Sequence, residues 1–178
     1  MEDGWDVAKQ FQIETRVVDL TPVREQEVAQ LQAVTSLSDA ALSNIAPRLR
    51  MTTLYTVAAS EKLLVAGTGN RSEIYMGYFT KWGDGGCDFN PIADLTATEV
   101  FAFLAYLQAP AHILTKAPSA GLFEGQTDEQ DMGVTYAAID QYLTTGVASE
   151  QDLAIIRRYH RNSAHKRTGV TFYSENES

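Results

Sequence analysis

The chain has 178 residues, 44% of them hydrophobic, and a formal net charge of -9. That apolar content suffices for one domain with a hydrophobic core, spanning residues 1–178. The negative charge argues against a general nucleic-acid binder, because phosphate neutralisation requires a basic face. No stretch approaches the roughly eighteen consecutive apolar residues of a membrane span, and the start is acidic and mixed, unlike a secretory signal. We therefore expect a cytoplasmic protein that binds neither membrane nor nucleic acid.

Cysteine and charge set two further limits. Cys87 is the single cysteine, which excludes an intramolecular disulfide and a thiolate zinc site. An anionic ligand must find local positive charge in this acidic chain. The available cations are Arg48, Arg50, Arg71, Lys81, His165, Lys166 and Arg167.

The first part of the chain predicts an alternation of helix and strand. Residues 3–10 are typical of a helix end, and residues 13–20 are rich in β-branched side chains, which predicts a buried strand. Residues 25–34 predict a helix, after which Ser38 is expected to cap a short turn. This order of elements is typical of α/β proteins.

Asn44 predicts the start of a further helix that ends near residue 60. Pro47 would lie in its first turn, where the missing amide hydrogen has no helical partner. Four apolar residues recur at the spacing of one buried stripe. They are Met51, Leu54, Tyr55 and Ala58.

The segment GTGNRSE, residues 67–73, follows a short apolar run at residues 63–66. We expect a strand, a tight turn and a helix. The exposed amides and the helix dipole at such a turn attract phosphate. Alternatively, the glycines allow the turn and Asn70 with Glu73 forms a capping box that needs no ligand.

Three other segments each have two interpretations. Residues 78–91 combine aromatic rings, a lysine and glycines. They could bind a planar base or a ribose, or they could form a solvated loop whose aromatic side chains are buried beneath it. Residues 116–129 predict a long loop or a lid. The cationic residues 161–167 form a solvated tail or close over a phosphate.

Capping signals predict the remaining helices. Thr96 and Glu99 form a capping box for a helix over residues 97–107. Later helix starts are Thr127 with Gln130, Thr135, and Ser149 with Asp152, the last leading a helix through residue 161. No histidine or serine lies in a hydrolase motif, so no catalytic side-chain nucleophile is predicted.

Five segments together resemble the ammonia-dependent NAD⁺ synthetases in order and spacing. They are NIAPRLRMTTLY (44–55), GTGNRSE (67–73), GYFTKWGDGGCDFNPIADL (77–95), PSAGLFEGQTDE (118–129) and HKR (165–167). The resemblance implies an α/β fold with a doubly wound parallel sheet of the ATP-pyrophosphatase type, also called adenine nucleotide alpha hydrolase-like, with helices on both faces.

By this resemblance the reaction is the ATP-dependent amidation of deamido-NAD⁺. The nicotinate carboxylate is adenylated, diphosphate leaves, and ammonia attacks the acyl adenylate to give NAD⁺ and AMP. The resemblance also implies Mg²⁺ and a homodimer that binds deamido-NAD⁺ near the subunit boundary. With no amidase domain in the sequence, free ammonia is the simplest nitrogen source.

The site residues follow from the same resemblance, position by position. The deamido-NAD⁺ contacts are expected to be Arg48, Lys81, Asp88, His165 and Lys166. Thr68 and Ser119 are similar to ATP contacts, and Glu73 matches the magnesium ligand.

The chain also departs from the family. Ala97 stands where members carry an ATP-contacting lysine, and the SGGxDS loop that holds the pyrophosphate does not occur in this sequence. By resemblance two central strands are also missing, so the sheet is incomplete and leaves backbone groups and apolar faces unpaired. The alternative is therefore a non-catalytic paralogue or fragment that binds dinucleotide or pairs with a complete synthetase.

Overall fold

The computed structural model describes residues 2–119 and 127–172, and the regular structure of those residues is helical. The helices are α1 (Glu2–Gln10), α2 (Thr21–Gln32), α3 (Asp39–Glu61), α4 (Arg71–Met76), α5 (Ala97–Tyr106), α6 (Ala111–Leu114), α7 (Asp128–Met132), α8 (Tyr136–Thr145), α9 (Glu150–Asn162) and α10 (Ala164–Arg167). No helix in the described part of the chain has the length and apolar character needed to cross a membrane.

The core lies where α4, α5, α8 and α9 pack together. Met76, Ile139 and Ile156 are each 0% exposed and belong to one buried cluster. Side chains from three helices thereby exclude water from the same volume, which is the main favourable contribution to folding.

The predicted capping signals are confirmed. Thr96 and Glu99 form the capping box of α5, and Thr127 and Gln130 form that of α7. Thr135 caps α8 by accepting a hydrogen bond from the Ala138 amide. Ser149 caps α9 in the same way, through the amide of Asp152.

The helix predicted to begin at Asn44 begins earlier, so that prediction was wrong. Ser38 caps α3, its hydroxyl accepting a hydrogen bond from the Ala41 amide at 3.3 Å. Asn44 lies inside α3 and its side-chain amide donates to the Ala40 carbonyl at 2.6 Å. Pro47 is a buried interior residue rather than a first-turn residue. A proline costs an interior helix one hydrogen bond, but here its ring is removed from water.

The apolar stripe on α3 is only partly buried. Ala58 is buried and Met51 and Tyr55 are half-buried, whereas Leu54 is 56% exposed. The periodicity identified the helix correctly, but the described residues do not cover the whole stripe.

Residues 13–20 do not form the predicted buried strand. They are extended without a strand partner among the described residues, and Ile13, Val17 and Val18 are all exposed. The strand predicted at residues 63–66 is partly confirmed, since Val65 is buried and Ala66 forms a parallel bridge with Phe89. This bridge is the β pairing found within residues 2–119 and 127–172. An extended segment acquires a ladder only when another strand lies beside it.

Candidate functional site

A cavity of about 740 Å³ opens between α3, the turn before α4, the loop after α4, and helices α9 and α10. Thr68, Glu73, Ser119 and Lys166 all lie on its wall. The volume suits a nucleotide-sized ligand, since small-molecule sites span about 300–1,000 Å³.

The turn before α4 is held in place by the segment that follows Cys87. The Gly67 amide donates to the Phe89 carbonyl at 2.7 Å, and the Asn90 side chain donates to the Gly69 carbonyl at 2.8 Å. A Cβ at Gly67 would lie 2.6 Å from the Cys87 sulfur, so a larger residue does not fit. Close packing therefore explains this glycine, as well as the turn it allows.

The capping-box role of Glu73 is confirmed, and its role as a magnesium ligand stays a prediction. The Asn70 amide donates to Glu73 Oε2 at 2.8 Å, and the Glu73 amide donates to Asn70 Oδ1 at 2.9 Å, which confirms the capping box. Glu73 also lies on the cavity wall. A carboxylate has two oxygens, and the cap uses one of them.

The electrostatic environment of Glu73 is unfavourable for its negative charge. Burial raises the pKa of Glu73 to about 7, and the nearby carboxylates of Asp128 and Asp84 act in the same direction. The hydrogen bond from the Asn70 amide opposes this rise. A cation beside Glu73 would therefore be stabilised by charge that is otherwise uncompensated.

Two tyrosines hold the acidic side of the cavity. The Tyr78 hydroxyl donates to Asp131 Oδ2 at 2.8 Å, and the Tyr136 hydroxyl donates to Asp128 Oδ2 at 3.3 Å. Burial, followed by the bond to Asp131, raises the pKa of Tyr78, which keeps this hydroxyl protonated as a donor. Within residues 2–119 and 127–172, no three His, Cys, Asp or Glu side chains converge closely enough to hold a metal ion by themselves.

Lys166 brings positive charge to the cavity wall. Its ammonium donates to the carbonyls of Gly77 at 2.8 Å and Phe79 at 2.6 Å, and it lies 5.3 Å from the centre of the Phe79 ring. Burial lowers the pKa of Lys166. An ammonium has three hydrogens, so two carbonyls leave one for a ligand in the cavity.

The other predicted contacts lie beside the cavity rather than on its wall. Arg48 donates from Nε to the Lys81 carbonyl at 3.4 Å, and the Lys81 ammonium donates to the His165 carbonyl at 2.6 Å. These three residues therefore form a connected edge, which is cationic through Arg48 and Lys81. Asp88 is separate, with Oδ1 accepting from the Tyr55 hydroxyl at 3.3 Å and Oδ2 from the Val65 amide at 2.7 Å.

The sequence reasoning missed five charged residues on the cavity wall as site residues. They are Arg50, Asp84, Asp128, Asp131 and Arg158. Arg50 was only one of several available cations, and Arg158 lies in an ordinary amphipathic helix, with its guanidinium 5.6 Å from the Tyr159 ring. The capping box at Thr127 located the helix that carries Asp128 and Asp131 but gave no sign that they face a cavity.

Comparison with known proteins identifies the family. A family model described as NAD synthase matches residues 1–176. The chain is 51% identical over 168 residues to the NH(3)-dependent NAD(+) synthetase of Carboxydothermus hydrogenoformans, covering 93% of this chain and 69% of the relative. The corresponding protein of Alkaliphilus oremlandii is 54% identical over 134 residues, which cover 75% of this chain and 54% of the relative.

A solved structure of NMN synthetase from Francisella tularensis superimposes with a TM-score of 0.93 at 40% identity, covering 97% of this chain and 71% of that one. The chain belongs to the NAD synthase family. This membership confirms the resemblance and places the chain in the α/β class of the ATP-pyrophosphatase type. The doubly wound parallel sheet stays a prediction, since the described residues form one isolated β-bridge, between Ala66 and Phe89.

Proposed function

We propose that the chain binds the substrates for ATP-dependent amidation of deamido-NAD⁺ with ammonia, which yields NAD⁺, AMP and diphosphate through an adenylated intermediate. The observation that supports this proposal is the single cavity wall shared by Thr68, Glu73, Ser119 and Lys166. These residues come from separate parts of the sequence, and each was assigned to a nucleotide or its metal by family resemblance alone.

The chemistry requires activation of a poor electrophile. A carboxylate resists attack by ammonia until adenylation converts one oxygen into part of a leaving group. The residues on the cavity wall form no covalent bond to the substrate in this proposal. They hold the carboxylate and the phosphate in contact and stabilise the charge that develops.

Each cavity residue has a binding role in this scheme. Thr68 and Ser119 contact ATP, and the remaining hydrogen of the Lys166 ammonium donates to an anionic oxygen of deamido-NAD⁺. Arg50 and Arg158 add positive charge on the same wall. Guanidinium groups suit phosphate because their donors match its oxygens in pairs.

Glu73 fits a magnesium ion in this scheme. Protein-bound Mg²⁺ commonly takes one or two carboxylates and completes its shell with water and substrate phosphate. Glu73 supplies one buried carboxylate beside the negative charges of Asp128 and Asp84. A bound magnesium ion would offset the phosphate charge as diphosphate departs.

The cationic edge formed by Arg48, Lys81 and His165 would contact the part of deamido-NAD⁺ that extends beyond the cavity. Asp88, fixed by Tyr55 and the Val65 amide, would contact the same substrate. We propose a homodimer in which this edge lies near the subunit boundary. The edge then contacts the part of deamido-NAD⁺ that the residues on the cavity wall do not reach.

A second acceptor, nicotinate mononucleotide, is favoured by one observation. The NMN synthetase structure superimposes on 97% of this chain with a TM-score of 0.93. A mononucleotide would occupy the cavity without needing the adjacent edge. The choice between the two acceptors therefore depends on whether Arg48, Lys81 and Asp88 contribute to binding.

The assay uses the purified chain with ATP, Mg²⁺, ammonium and either acceptor, and chromatography measures the amidated product and AMP. Glu73→Gln should lower kcat/KM by about a hundredfold, because glutamine preserves the capping box but not the charge. Glu150→Gln, a substitution of an exposed acid on α9, serves as the matched control and should leave the rate unchanged.

A binding measurement separates the enzyme from the non-catalytic alternative. Dinucleotide binding without turnover by the wild-type chain would select the paralogue, for which Ala97 at the position of the family's ATP-contacting lysine also argues. Absence of both turnover and nucleotide binding would contradict the proposal as a whole.

A further inference from the structure

The carboxyl end of α4 is held by side chains from the C-terminal part of the chain. The last carbonyls of a helix have no partner inside the helix and must find one elsewhere. The Tyr75 carbonyl lies 2.9 Å from His160 Nδ1 and accepts a hydrogen bond from Arg167 Nη1 at 3.2 Å. The Ser163 hydroxyl lies 3.1 Å from the Met76 carbonyl and shares its one hydrogen between that carbonyl and the Tyr159 carbonyl, at 2.7 Å. The two last residues of α4 are thus contacted by α9, α10 and the serine between them.

Arg167 is the centre of this arrangement. Its Nη1 also donates to the Ser163 hydroxyl at 2.6 Å, and its Nη2 donates to the His160 carbonyl. One guanidinium therefore joins the end of α4, the end of α9 and the residue that begins α10. A planar fork of donors in fixed geometry suits several acceptors at once, which a single ammonium cannot reproduce.

Packing leaves little room for movement at this point. A Cβ at Gly77 would lie 2.1 Å from the Ser163 Cβ and 3.3 Å from Arg167 Nη1. Gly77 also has φ +66°, the left-handed conformation that ends α4. The chain thus leaves α4 in direct contact with the residues that Arg167 holds.

The two cavity residues of opposite charge depend on this junction. Glu73 lies one turn before the end of α4, and Lys166 immediately precedes Arg167. Arg167 is not on the cavity wall, and its guanidinium is occupied by backbone carbonyls and a hydroxyl. Its charge therefore stabilises the carboxyl end of a helix dipole instead of reaching a ligand.

We propose that Arg167 is a positioning residue for the cavity: it fixes α4 against α10 so that Glu73 and Lys166 face the same cavity. This inference rests on the proposed function for the identity of the nucleotides bound there. The placement of α4 itself does not depend on turnover and is measured separately.

Hydrogen exchange tests the placement. The amides of Gly77 and Tyr78 donate to the carbonyls of Ile74 and Glu73 at 3.1 and 2.9 Å, so they report directly on the end of α4. In Arg167→Ala we expect these two amides to exchange at least about tenfold faster, because local opening frees them. The amides of Ile139 and Gly146 in and after α8 should keep their wild-type rates.

Activity and rescue test the consequence for the site. Arg167→Ala should lower kcat at least about tenfold, with a smaller change in KM, because misplaced groups lose orientation more than affinity. Added guanidinium ion, at concentrations far below those that unfold proteins, should restore part of the rate, and Arg167→Lys should retain an intermediate rate. Arg161→Ala, which removes an exposed arginine of α9, is the matched control and should behave as wild type.

The outcomes distinguish the two proposals. Unchanged exchange at Gly77 and Tyr78, or an equal increase at Ile139 and Gly146, would overturn the positioning role. Local loosening with wild-type activity, or loss of activity that guanidinium does not restore, would overturn it as well. If the wild-type chain neither binds nucleotide nor turns over, the proposed function fails, and the positioning of a nucleotide site fails with it, whereas the exchange result still decides whether Arg167 fixes α4.

Discussion

Two regions of the molecule differ sharply in how far their apolar side chains are buried. Around α4, α5, α8 and α9, Met76, Ile139 and Ile156 are completely buried. Before α3, the extended residues expose Ile13 and Val17. The first region encloses its apolar groups with its own helices, and the second presents them to solvent. The cavity draws on α4 and α9 of the first region together with residues of α3, α7 and α10.

The difference also shows which contacts hold each region. In the helical cluster, side chains from one element satisfy backbone groups of another, as Arg167 does for Tyr75. The extended residues are connected to their surroundings mainly by surface contacts, such as the ion pair between Arg16 and Glu61. Exposed ion pairs are screened by water and contribute much less to stability than burial of a large apolar side chain.

The largest expected effect separates the two regions directly. Ile139→Ala should reduce the free energy of unfolding by about 3 kcal/mol, because it removes a fully buried side chain and leaves a cavity. Val17→Ala, which shortens another β-branched side chain that is 58% exposed, should change it by less than about 0.5 kcal/mol. Urea denaturation of both variants measures the difference. Similar losses in the two variants would mean that Val17 is covered in solution.

A slightly smaller effect is expected from a buried carboxylate within the helical cluster. Asp140 on α8 accepts hydrogen bonds from the Ser72 hydroxyl and from the Thr98 amide at 2.8 Å, and the Ser72 hydroxyl accepts from the Ala97 amide at 3.1 Å. This carboxylate therefore joins α8 to the first turns of α4 and α5. Charge-assisted bonds of this kind are stronger than neutral ones.

Asp140→Ala should lower the free energy of unfolding by about 2–3 kcal/mol, because a buried hydroxyl and an amide lose their acceptor. Asp94→Ala removes an exposed aspartate from the loop before α5 and should change stability by less than about 0.5 kcal/mol. Thermal unfolding followed by circular dichroism compares the two variants. Equal melting temperatures would show that the Asp140 network contributes no net stability.

The same contrast explains how much of the fold the sequence predicted. Capping residues act on amides two or three positions away, so Thr96, Thr127, Thr135 and Ser149 located helices correctly. Residues 13–20 were assigned to a buried strand because of β-branched side chains. Such side chains fit a strand, but burial depends on distant segments that a local pattern does not describe.

The candidate site was predictable to a similar extent. Family resemblance assigned Thr68, Glu73, Ser119 and Lys166, and the fold places all four on one cavity wall. It gave no indication that Arg158 lies on the same wall. Nor did it show that the Lys166 ammonium donates hydrogen bonds to two backbone carbonyls, since such contacts arise from tertiary packing.

The smallest effect concerns two glycines with nearly the same backbone conformation. Gly77 and Gly146 each end a helix with positive φ, at 66° and 76°, so alanine at either position costs about 1 kcal/mol of backbone strain. A Cβ at Gly146 meets nothing within 4 Å, whereas one at Gly77 would lie 2.1 Å from the Ser163 Cβ. Gly77→Ala should therefore lose about 2 kcal/mol in urea denaturation and Gly146→Ala about 1 kcal/mol, because only the first adds a steric contact to the strain. Equal losses would show that α10 moves away from α4 at little cost, and the difference between the two variants measures how firmly the C-terminal helices hold the cavity.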